Sequence, residues 1–388
     1  MDKPLHSFVD WLVDLLWPIL ESFTDLSLGS VVMMAIGGLM IYLAIKKDYE
    51  PMLLLPMGFG AILANMPLSM VTGEHGFLTV LYNAGIATEL FPVLIFIAVG
   101  AMVDFTPLLE QPSLIFFGAA AQFGIFMTMI LATVLGFDIF DSAAIGIIGA
   151  ADGPTSIYVA NRFAKDLIGP ISVAAYSYMA LVPVIQPFVI RLITTKEDRL
   201  IRMESRPSTV SPLTRILFPI IVTIVVGLIA PMGVALVGAL MYGNLLRECG
   251  VLKKLSDAAQ NELSNLVTVL LGLTIGGTMV AEKFLTPATL MIMGLGLIAF
   301  VFDTVGGVLF AKFINLFVKR KYNPMIGAAG ISAFPMSARV IHKLAQKDDP
   351  SNFILMQAVG ANVAGQVGSI VAGGVIINLL QKLLDAGV

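Results

Sequence analysis

Long apolar stretches follow one another along almost the whole chain, and they constrain its fold more than any other feature. They cover residues 28–45, 51–67, 89–103, 112–137, 142–160, 168–190, 211–230, 232–246, 263–281, 286–311, 323–338 and 352–380. A helix needs about 20 apolar residues to cross a bilayer, so the longer stretches are full spans and the shorter ones are partial spans. The pattern predicts an all-α polytopic membrane protein with roughly ten to twelve crossings.

The low content of charge supports this interpretation. Only 13% of the 388 residues are charged, whereas a soluble domain carries roughly 25%. Most of the surface must face lipid, which excludes a soluble globular enzyme and a disordered chain. The net charge of -3 argues against a nucleic-acid partner, and the single cysteine, Cys249, excludes an internal disulfide.

Residues 1–27 carry a different pattern. Apolar side chains recur there at helical spacing, and acidic residues lie between them. The apolar residues are Phe8, Trp11, Leu12, Leu15, Leu16, Ile19 and Phe23. We expect an amphipathic helix that lies in the membrane interface. The segment lacks a basic start followed by an unbroken apolar core, so it does not resemble a cleavable signal peptide.

A polar stretch at residues 191–210 divides the remaining chain in two. It is rich in basic residues, namely Arg191, Lys196, Arg199, Arg202 and Arg206. We interpret it as a linker between a first membrane repeat, residues 28–190, and a second, residues 211–388. By the positive-inside rule the linker is cytoplasmic.

Other basic residues predict which loops lie on the same side of the membrane as the linker. Lys46 and Lys47, the loop 247–254 and the loop 312–321 are all expected to be cytoplasmic. An odd number of apolar stretches separates Lys47 from Arg191, so the two cannot share a side if every stretch crosses. At least one short segment must be re-entrant or a half-helix.

The two halves resemble each other at a constant distance along the chain. The run I-A-V-G-A-M at 97–102 resembles L-T-I-G-G-T-M at 273–279, and I-G-A-A-D-G-P-T-S at 148–156 resembles I-G-A-A-G-I-S-A-F-P at 326–335. The pair Thr106-Pro107 also recurs as Thr286-Pro287, and the offset across the three comparisons stays within 177 to 180 residues. We expect structural repeats, which in secondary transporters are commonly inverted and carry the substrate and ion sites where paired helices break.

Glycine and proline predict where these helices break. They cluster at matching places in the two halves, namely at Gly149, Gly153 and Pro154 and at Gly327, Gly330 and Pro335. Proline removes a helix hydrogen bond and glycine relaxes the backbone, which frees carbonyl oxygens to coordinate a cation. The alternative is that these residues only allow helices to pack closely.

Asp152 lies in the first predicted break and is the sole charged residue between Asp141 and Arg162. An unpaired carboxylate in hydrocarbon costs at least ~2.5 kcal/mol, so something must compensate it. We expect a Na+ or H+ that comes and goes; the alternative is a permanently protonated or arginine-paired aspartate. Asp303 is a second lone acid, without a Gly-Pro break around it, and its alternative role is pairing with Arg339.

Other side chains near the breaks carry the oxygen ligands that Na+ prefers. They are Thr155, Ser156, Asn323, Ser332, Ser337, Asn362 and Gln366. The alternative for the hydroxyl groups is bonding to their own helix backbone. Arg339 is a candidate for binding a carboxylate, or else a headgroup anchor, and Tyr178 is a candidate proton carrier, or else a packing residue.

Four motifs make the sequence similar to one family. G-A-A-D-G-P-T-S-I (149–157), A-Y-S-Y-M-A-L-V-P-V-I-Q-P (175–187), N-P-M-I-G-A-A-G-I-S-A-F-P-M-S-A-R (323–339) and G-A-N-V-A-G-Q-V-G-S (360–369) resemble the beta subunit of the biotin-dependent, sodium-translocating decarboxylases. The resemblance extends from about residue 28 to near the end of the chain. It implies a multi-pass protein of a prokaryotic inner or plasma membrane.

The resemblance also implies an activity and partners. In this family a carboxyltransferase alpha subunit moves CO2 onto biotin held by a biotin carrier protein, and a small membrane gamma or delta subunit completes a homo-oligomeric complex. The beta subunit decarboxylates carboxybiotin, takes up a proton from outside and drives Na+ outward. The family fold is a pair of inverted repeats with interrupted, crossing helices, similar to cation/proton antiporters.

By residue match, the resemblance assigns roles to single positions. It implies Na+ ligands at Asp152, Asn323, Ser332 and Asn362. It implies catalytic roles for Asp152, Tyr178 and Arg339, a carboxybiotin contact at Arg339 and Ser332, and a further functional position at Gly327.

Two other functions compete with this one on the sequence alone, and the second of them lacks its motif. No A-M-K-M-like biotinylation motif is present in the chain, so a decarboxylase subunit would receive biotin on a partner. A stand-alone Na+/H+ or Na+/organic-anion transporter, which is the first alternative, would need no such partner. An intramembrane aspartyl protease using Asp152 and Asp303 would require a G-x-G-D pattern, which the sequence lacks. The compact chain resembles the members that act on CoA esters.

Overall fold

A computed structural model describes residue 17, residues 25–203 and residues 210–386, and this part of the chain is helical, with no strand. Nearly all of the amphipathic helix predicted over residues 1–27 lies outside the described residues. The helices in chain order are α1 (Leu28–Lys47), α2 (Pro51–Ala64), α3 (Phe77–Leu81), α4 (Leu90–Met102), α5 (Thr106–Glu110), α6 (Ile115–Ala120), α7 (Phe123–Val134), α8 (Ile139–Gly146), α9 (Gly153–Phe163), α10 (Ile168–Ile193), α11 (Lys196–Arg199), α12 (Pro212–Ile229), α13 (Val234–Glu248), α14 (Lys253–Ala258), α15 (Ser264–Thr278), α16 (Ala281–Phe284), α17 (Pro287–Ile314), α18 (Met325–Ala328), α19 (Met336–Asp348) and α20 (Leu355–Asp385).

Several of these helices are long and apolar enough to cross a membrane. Among the described residues five qualify singly, namely Leu28–Lys47, Pro112–Val134, Pro212–Ile229, Pro287–Ile314 and Leu355–Asp385. The number rises to seven if two bent pairs, Phe77–Ile86 with Leu90–Met102 and Lys165–Met179 with Leu181–Ile193, each count as one span. The chain is therefore an all-α, multi-pass membrane protein. Several predicted stretches form shorter helices, such as the 14-residue α2, so the prediction of ten to twelve crossings exceeds the number that qualifies on length and hydropathy.

The first predicted break is the tip of a helical hairpin. The rings of Phe140, at the start of α8, and Phe163, at the end of α9, are stacked with their centroids 5.8 Å apart. Between the two helices lie a 3₁₀ turn, Ile147–Ala150, and Ala151, whose φ of 51° reverses the chain direction. A hairpin of this shape is compatible with the re-entrant segment that the distribution of basic residues predicts, which stays a prediction.

The second predicted break is also a hairpin, formed by α18 and α19. Asn323 precedes it and Asn352 follows it, and the side-chain amides of both donate to the carbonyl oxygens of Arg199 and Ile201 in the linker. Because α10 connects the first hairpin to the linker, the two hairpins open toward opposite ends of α10. An inverted repeat is compatible with this arrangement and stays a prediction.

Close helix packing explains part of the glycine content. A Cβ atom on Gly100 of α4 would lie 1.8 Å from the carbonyl oxygen of Leu240, and one on Gly243 of α13 would lie 2.0 Å from that of Ile97. Only glycine allows these two backbones to approach so closely. The packing role considered as an alternative therefore applies to Gly100 and Gly243, and Gly327 in the second break packs against Gly307 in the same way.

The linker is slightly shorter than the predicted 191–210. α10 continues to Ile193, α11 lies within the linker, and α12 begins at Pro212. Arg199 contacts the carboxylate of Asp348 at 2.5 Å, and both side chains are largely buried. The linker thus closes against the end of the second hairpin.

Candidate functional site

Asp152 lies at the tip of the first hairpin, where it caps the N-terminus of α9. Its Oδ1 atom accepts a 3.2 Å hydrogen bond from the backbone N–H of Thr155, and its own carbonyl oxygen accepts one from the Ser156 hydroxyl at 2.8 Å. An aspartate with proline at the next positions is a common helix start, since its side chain satisfies an otherwise unpaired N–H group. The side chain is buried, with the residue 5% exposed. The local sequence therefore fixes one carboxylate oxygen and leaves the other directed away from α9.

The second carboxylate oxygen faces the other half of the chain. Oδ2 accepts a 2.7 Å hydrogen bond from the Ser369 hydroxyl of α20 and a 3.4 Å contact from the Ser332 hydroxyl of the second hairpin. The two hydroxyl oxygens lie 2.8 Å apart. The backbone N–H of Ser332 also donates to the carbonyl oxygen of Ala150 at 3.0 Å. The tips of the two hairpins therefore meet at Asp152.

Polar side chains of α20 position the second tip. The Gln366 amide donates to the carbonyl oxygen of Ser332, and the Asn362 amide donates to that of Ile331 at 2.6 Å. Among the described residues, the side-chain oxygens of Asn362 and Thr155 are buried without a hydrogen-bond partner. Buried oxygens are rarely left unpaired. A carboxylate surrounded by hydroxyl and amide oxygens is the donor set that a hard cation such as Na+ prefers.

Asn323, a predicted Na+ ligand, lies in different surroundings. Its amide nitrogen donates to the carbonyl oxygens of Arg199 and Ile201, at 3.0 and 2.8 Å, and its Oδ1 atom accepts from the backbone N–H of Met325 at 3.1 Å. The structure therefore places this side chain at the base of the second hairpin, on the linker, and does not bring it to Asp152.

The structure distinguishes two tyrosines of α10 that the sequence analysis did not separate. The hydroxyl of Tyr178, the predicted proton carrier, donates to the carbonyl oxygen of Met293 in α17. Tyr176 lies against the first break instead, because a Cβ atom on Gly153 would be 2.6 Å from its hydroxyl oxygen. That hydroxyl is buried and has no partner in the described part of the chain. Tyr176 is therefore the tyrosine closer to the Asp152 tip.

Gly327 and Asp303 both contact the helices around the two tips. A Cβ atom on Gly327 would lie 1.9 Å from the carbonyl oxygen of Gly307 in α17, so these two backbones touch directly. Asp303 is 0% exposed and lies one turn before Gly307. The alternative that Asp303 pairs with Arg339 is wrong for this structure, since no ion pair among the described residues includes either side chain.

Comparison with known proteins assigns the chain to a family. Residues 29–380 match the family described as the Na+-transporting oxaloacetate decarboxylase beta subunit. The chain belongs to this family. It is thus a membrane subunit of the sodium-transporting decarboxylase class, in agreement with the resemblance carried by the four motifs, and a multi-pass protein of prokaryotic type.

Curated relatives cover almost the whole chain. The chain is 49% identical over 360 residues to the glutaconyl-CoA decarboxylase subunit beta of Acidaminococcus fermentans, with 93% of this chain and 96% of the relative covered. It is 47% identical over 381 residues to the methylmalonyl-CoA decarboxylase subunit beta of Propionigenium modestum, with 92% and 96% covered. It is 43% identical over 415 residues to the probable oxaloacetate decarboxylase beta chain of Vibrio cholerae, with 91% and 96% covered.

Arg339 of this decarboxylase subunit lies on the linker side of the second tip. It belongs to the first turn of α19, its side chain is exposed, and none of the ion pairs among the described residues uses it. α19 runs from the tip toward Asp348, which contacts the linker. The exposed guanidinium group therefore lies between the tip and the linker.

Ser369 is the main site residue that the sequence analysis did not single out. It ends the quoted motif at 360–369, three residues after Gln366, to whose carbonyl oxygen its hydroxyl also donates at 3.0 Å. A serine that donates to its own helix gives no sign in the sequence of a second, long-range acceptor. Its position one helical turn after Gln366 was the available signal.

Proposed function

We propose that this beta subunit decarboxylates carboxybiotin supplied by a partner subunit and couples the reaction to outward Na+ transport with uptake of a proton. The observation that carries the proposal is the contact of the Asp152 carboxylate with the hydroxyl groups of Ser332 and Ser369. This contact joins two hairpins that open toward opposite ends of α10. An ion bound there can leave in either direction after a small movement of one hairpin.

In this proposal Na+ and a proton compete for Asp152. Na+ bound to the carboxylate is also coordinated by the oxygens of Ser332, Ser369 and Asn362. When Na+ leaves, the lone carboxylate is costly in the membrane and takes up a proton instead. Each ion therefore favours a different arrangement of the tips, and the side to which the site opens follows from which ion is bound.

Arg339 is the proposed contact for carboxybiotin. Carboxybiotin supplies the CO2 that is lost, and its ring nitrogen takes up one proton in exchange. An exposed guanidinium group binds a carboxylate through two parallel hydrogen bonds. Arg339 would orient the carboxylate at the linker side of the second hairpin, and the short path along α19 links this contact to Ser332.

The proposed partners are those of the family. Biotin must arrive on a biotin carrier protein that is loaded by a carboxyltransferase alpha subunit, and a small gamma or delta subunit completes a homo-oligomeric complex. A CoA ester is the proposed substrate of the complex, since the alignment with the glutaconyl-CoA relative is 360 residues long. The alignment with the Vibrio cholerae relative, at 415 residues, is longer than this chain and includes segments that it lacks.

Decarboxylation of free carboxybiotin across a range of Na+ concentrations tests the proposal. The wild-type complex, reconstituted inside-out in proteoliposomes, should release CO2 only in the presence of Na+. It should also accumulate Na+ inside these vesicles. Asp152→Asn should lose the Na+ dependence, whereas Asp257→Asn, which changes an exposed aspartate of α14, should retain it. Unchanged Na+ dependence in Asp152→Asn would refute the proposal.

The same preparation distinguishes the stand-alone transporter. A biotinylated subunit should copurify with the chain, and its removal should abolish Na+ movement driven by the acid substrate. Na+ flux that continues without any biotin-carrying partner would favour the Na+/H+ or Na+/organic-anion transporter instead.

A further inference from the structure

Asp303 is a buried acid for which the proposed reaction has no use. It lies within α17, about 24 Å from the first residue of the helix and about 16 Å from the last at 1.5 Å per residue. α17 is one of the helices long and apolar enough to cross a membrane. The side chain, which is fully buried, therefore lies at the depth of the hydrocarbon core.

The carboxyl group of Asp303 is enclosed between two glycine backbones. Its Oδ1 atom lies 2.2 Å from the position that a Cβ atom would take on Gly124 of α7. Its Oδ2 atom lies 3.0 Å from the equivalent position on Gly149, in the 3₁₀ turn before Asp152. No side chain among the described residues pairs with either oxygen, and the donors that face the carboxyl group are the backbone N–H groups of Gly124 and Ile125 at the start of α7. The group thus fills a space that a side chain on either glycine would occupy.

The elements packed against α17 offer no charge to balance a carboxylate. α6, α7, the turn Ile147–Ala150 and α18 contain no charged residue. α8 carries one acid in its first turn and α10 carries one base in its last turn, both at helix ends. The titratable and charged groups of these elements and of α17 itself are Asp141, Tyr176, Tyr178, Arg191 and Lys312. Lys312 is already paired with Asp198.

The acid form of Asp303 fits this environment better than the carboxylate. A lone charge at this depth is expensive, whereas a protonated carboxyl group is neutral and needs only one acceptor. The Cβ position on Gly124 that lies 2.2 Å from Oδ1 of Asp303 also lies 2.3 Å from the carbonyl oxygen of Ala299. The two oxygens therefore border the same space, and the Ala299 carbonyl, one turn earlier in the same helix, is the proposed acceptor for a proton on Oδ1.

Asp303 also contacts the segment that positions Asp152. Gly149 precedes Asp152 by three residues, and Ala150 between them accepts the hydrogen bond from the backbone of Ser332. A negative charge on Asp303 would attract a cation bound at Asp152, and by linkage the bound cation would favour loss of the proton from Asp303. Asp303, at Gly149, and Asp152 therefore lie at the two ends of one short turn, and both act on the cation bound at Asp152.

We propose, on the basis of the function proposed above, that Asp303 is a second proton-binding site of the pump. It holds a proton in this conformation and releases it to water when Na+ binds at Asp152. The O–H bond of the carboxyl group breaks, the proton leaves, and the carboxylate charge remains to balance Na+. Binding of one Na+ then displaces one proton from each acid.

The pH dependence of Na+ binding tests this assignment. Each displaced proton changes the apparent Kd for Na+ about tenfold per pH unit where the acid is protonated. In the purified complex, radioactive Na+ should show a Kd that falls about a hundredfold per pH unit in that range. In Asp303→Asn the slope should be about tenfold per pH unit. Thr304→Val, which changes the next buried residue of α17, should retain the wild-type slope. A wild-type slope in Asp303→Asn would overturn the proposal.

Infrared spectroscopy provides a readout that does not depend on Na+ binding. The Na+-free complex should show two C=O stretching bands of protonated carboxyl groups, one that disappears in Asp303→Asn and another that disappears in Asp152→Asn. Asp303→Ser replaces Asp303→Asn if the latter fails to fold. Two bands that both persist in the Asp303 variants would overturn the proposal. Na+ binding that persists in Asp152→Asn would instead refute the proposed function and leave the assignment of the Asp303 band intact.

Discussion

Ser369 donates a 2.7 Å hydrogen bond to the Oδ2 atom of Asp152, across 217 residues of sequence. The bond connects the last long helix, α20, to the tip of the first hairpin. It makes the carboxylate part of both halves of the molecule, so that a movement of either half changes the surroundings of the acid.

Removal of the Ser369 hydroxyl should weaken Na+ binding. A hydrogen bond to a charged group contributes about 1.5–3 kcal/mol, so Ser369→Ala should raise the Na+ concentration for half-maximal decarboxylation by roughly 10- to 100-fold. Ser332→Ala should have a smaller effect, because its hydroxyl lies 3.4 Å from the carboxylate. Na+ titration of the activity measures both. Ser172→Ala, at another buried serine of α10, is the matched control. Equal Na+ requirements in Ser369→Ala and the wild type would contradict the prediction.

The sequence predicts that a site exists better than it predicts which residues form it. The Gly-Pro break and the lone acid locate Asp152, and the internal similarity locates Ser332 opposite to it, because both signals are local properties of the chain. The contribution of Ser369 depends on how α20 packs against both tips. No local pattern reports such a contact.

The same limit applies to the choice between residues on one helix. Tyr176 and Tyr178 occupy the same motif, and only the rotation of α10 determines that Tyr176 faces Gly153 while Tyr178 faces α17. Asn323 illustrates a second limit, since its partners are carbonyl groups of the linker. A backbone acceptor leaves no residue-specific trace in a sequence.

The two tyrosines should respond differently to loss of their hydroxyl groups. Tyr178→Phe removes a hydrogen bond to Met293 and should lower the stability by about 1 kcal/mol. Tyr176→Phe removes a hydroxyl without a described partner, so stability should not fall, and Na+-dependent activity should decrease because this hydroxyl lies beside the Asp152 tip. Thermal unfolding and Na+-dependent CO2 release, measured on the same preparations, separate the two effects. Full activity of Tyr176→Phe would exclude a role for its hydroxyl.

The backbone contact between α17 and the second hairpin should not tolerate a methyl group. A Cβ atom on Gly307 would lie 2.1 Å from the carbonyl oxygen of Gly327, so Gly307→Ala should destabilise the protein by about 1–3 kcal/mol. Gly294 of the same helix has no described atom within 4 Å of such a Cβ position. Gly294→Ala should therefore be neutral or slightly stabilising, since alanine favours a helix. Similar thermal unfolding temperatures for the two variants would show that the α17 contact is not tightly packed.

The contact of the linker with α17 should depend on pH in a defined direction. Partial burial of Asp198 raises its pKa, but the hydrogen bond from Lys312, 2.9 Å away, and the backbone N–H of Thr195 outweigh burial and lower the pKa below its usual value. Because the pKa is lowered in the folded state, the contact between Asp198 and Lys312 contributes fully to stability above the ordinary aspartate pKa. That contribution is lost as the pH falls through the lowered value.

Limited proteolysis of the linker measures this contribution. Asp198→Asn should increase the cleavage rate at neutral pH and should approach the wild-type rate in acid, where the wild type also loses the charge. The effect should correspond to less than about 1 kcal/mol, since both side chains are partly exposed. Glu197→Gln, which changes the exposed neighbour, is the control and should not alter cleavage at either pH. A difference between Asp198→Asn and the wild type that is as large in acid as at neutral pH would mean that the Lys312 contact does not fix the linker.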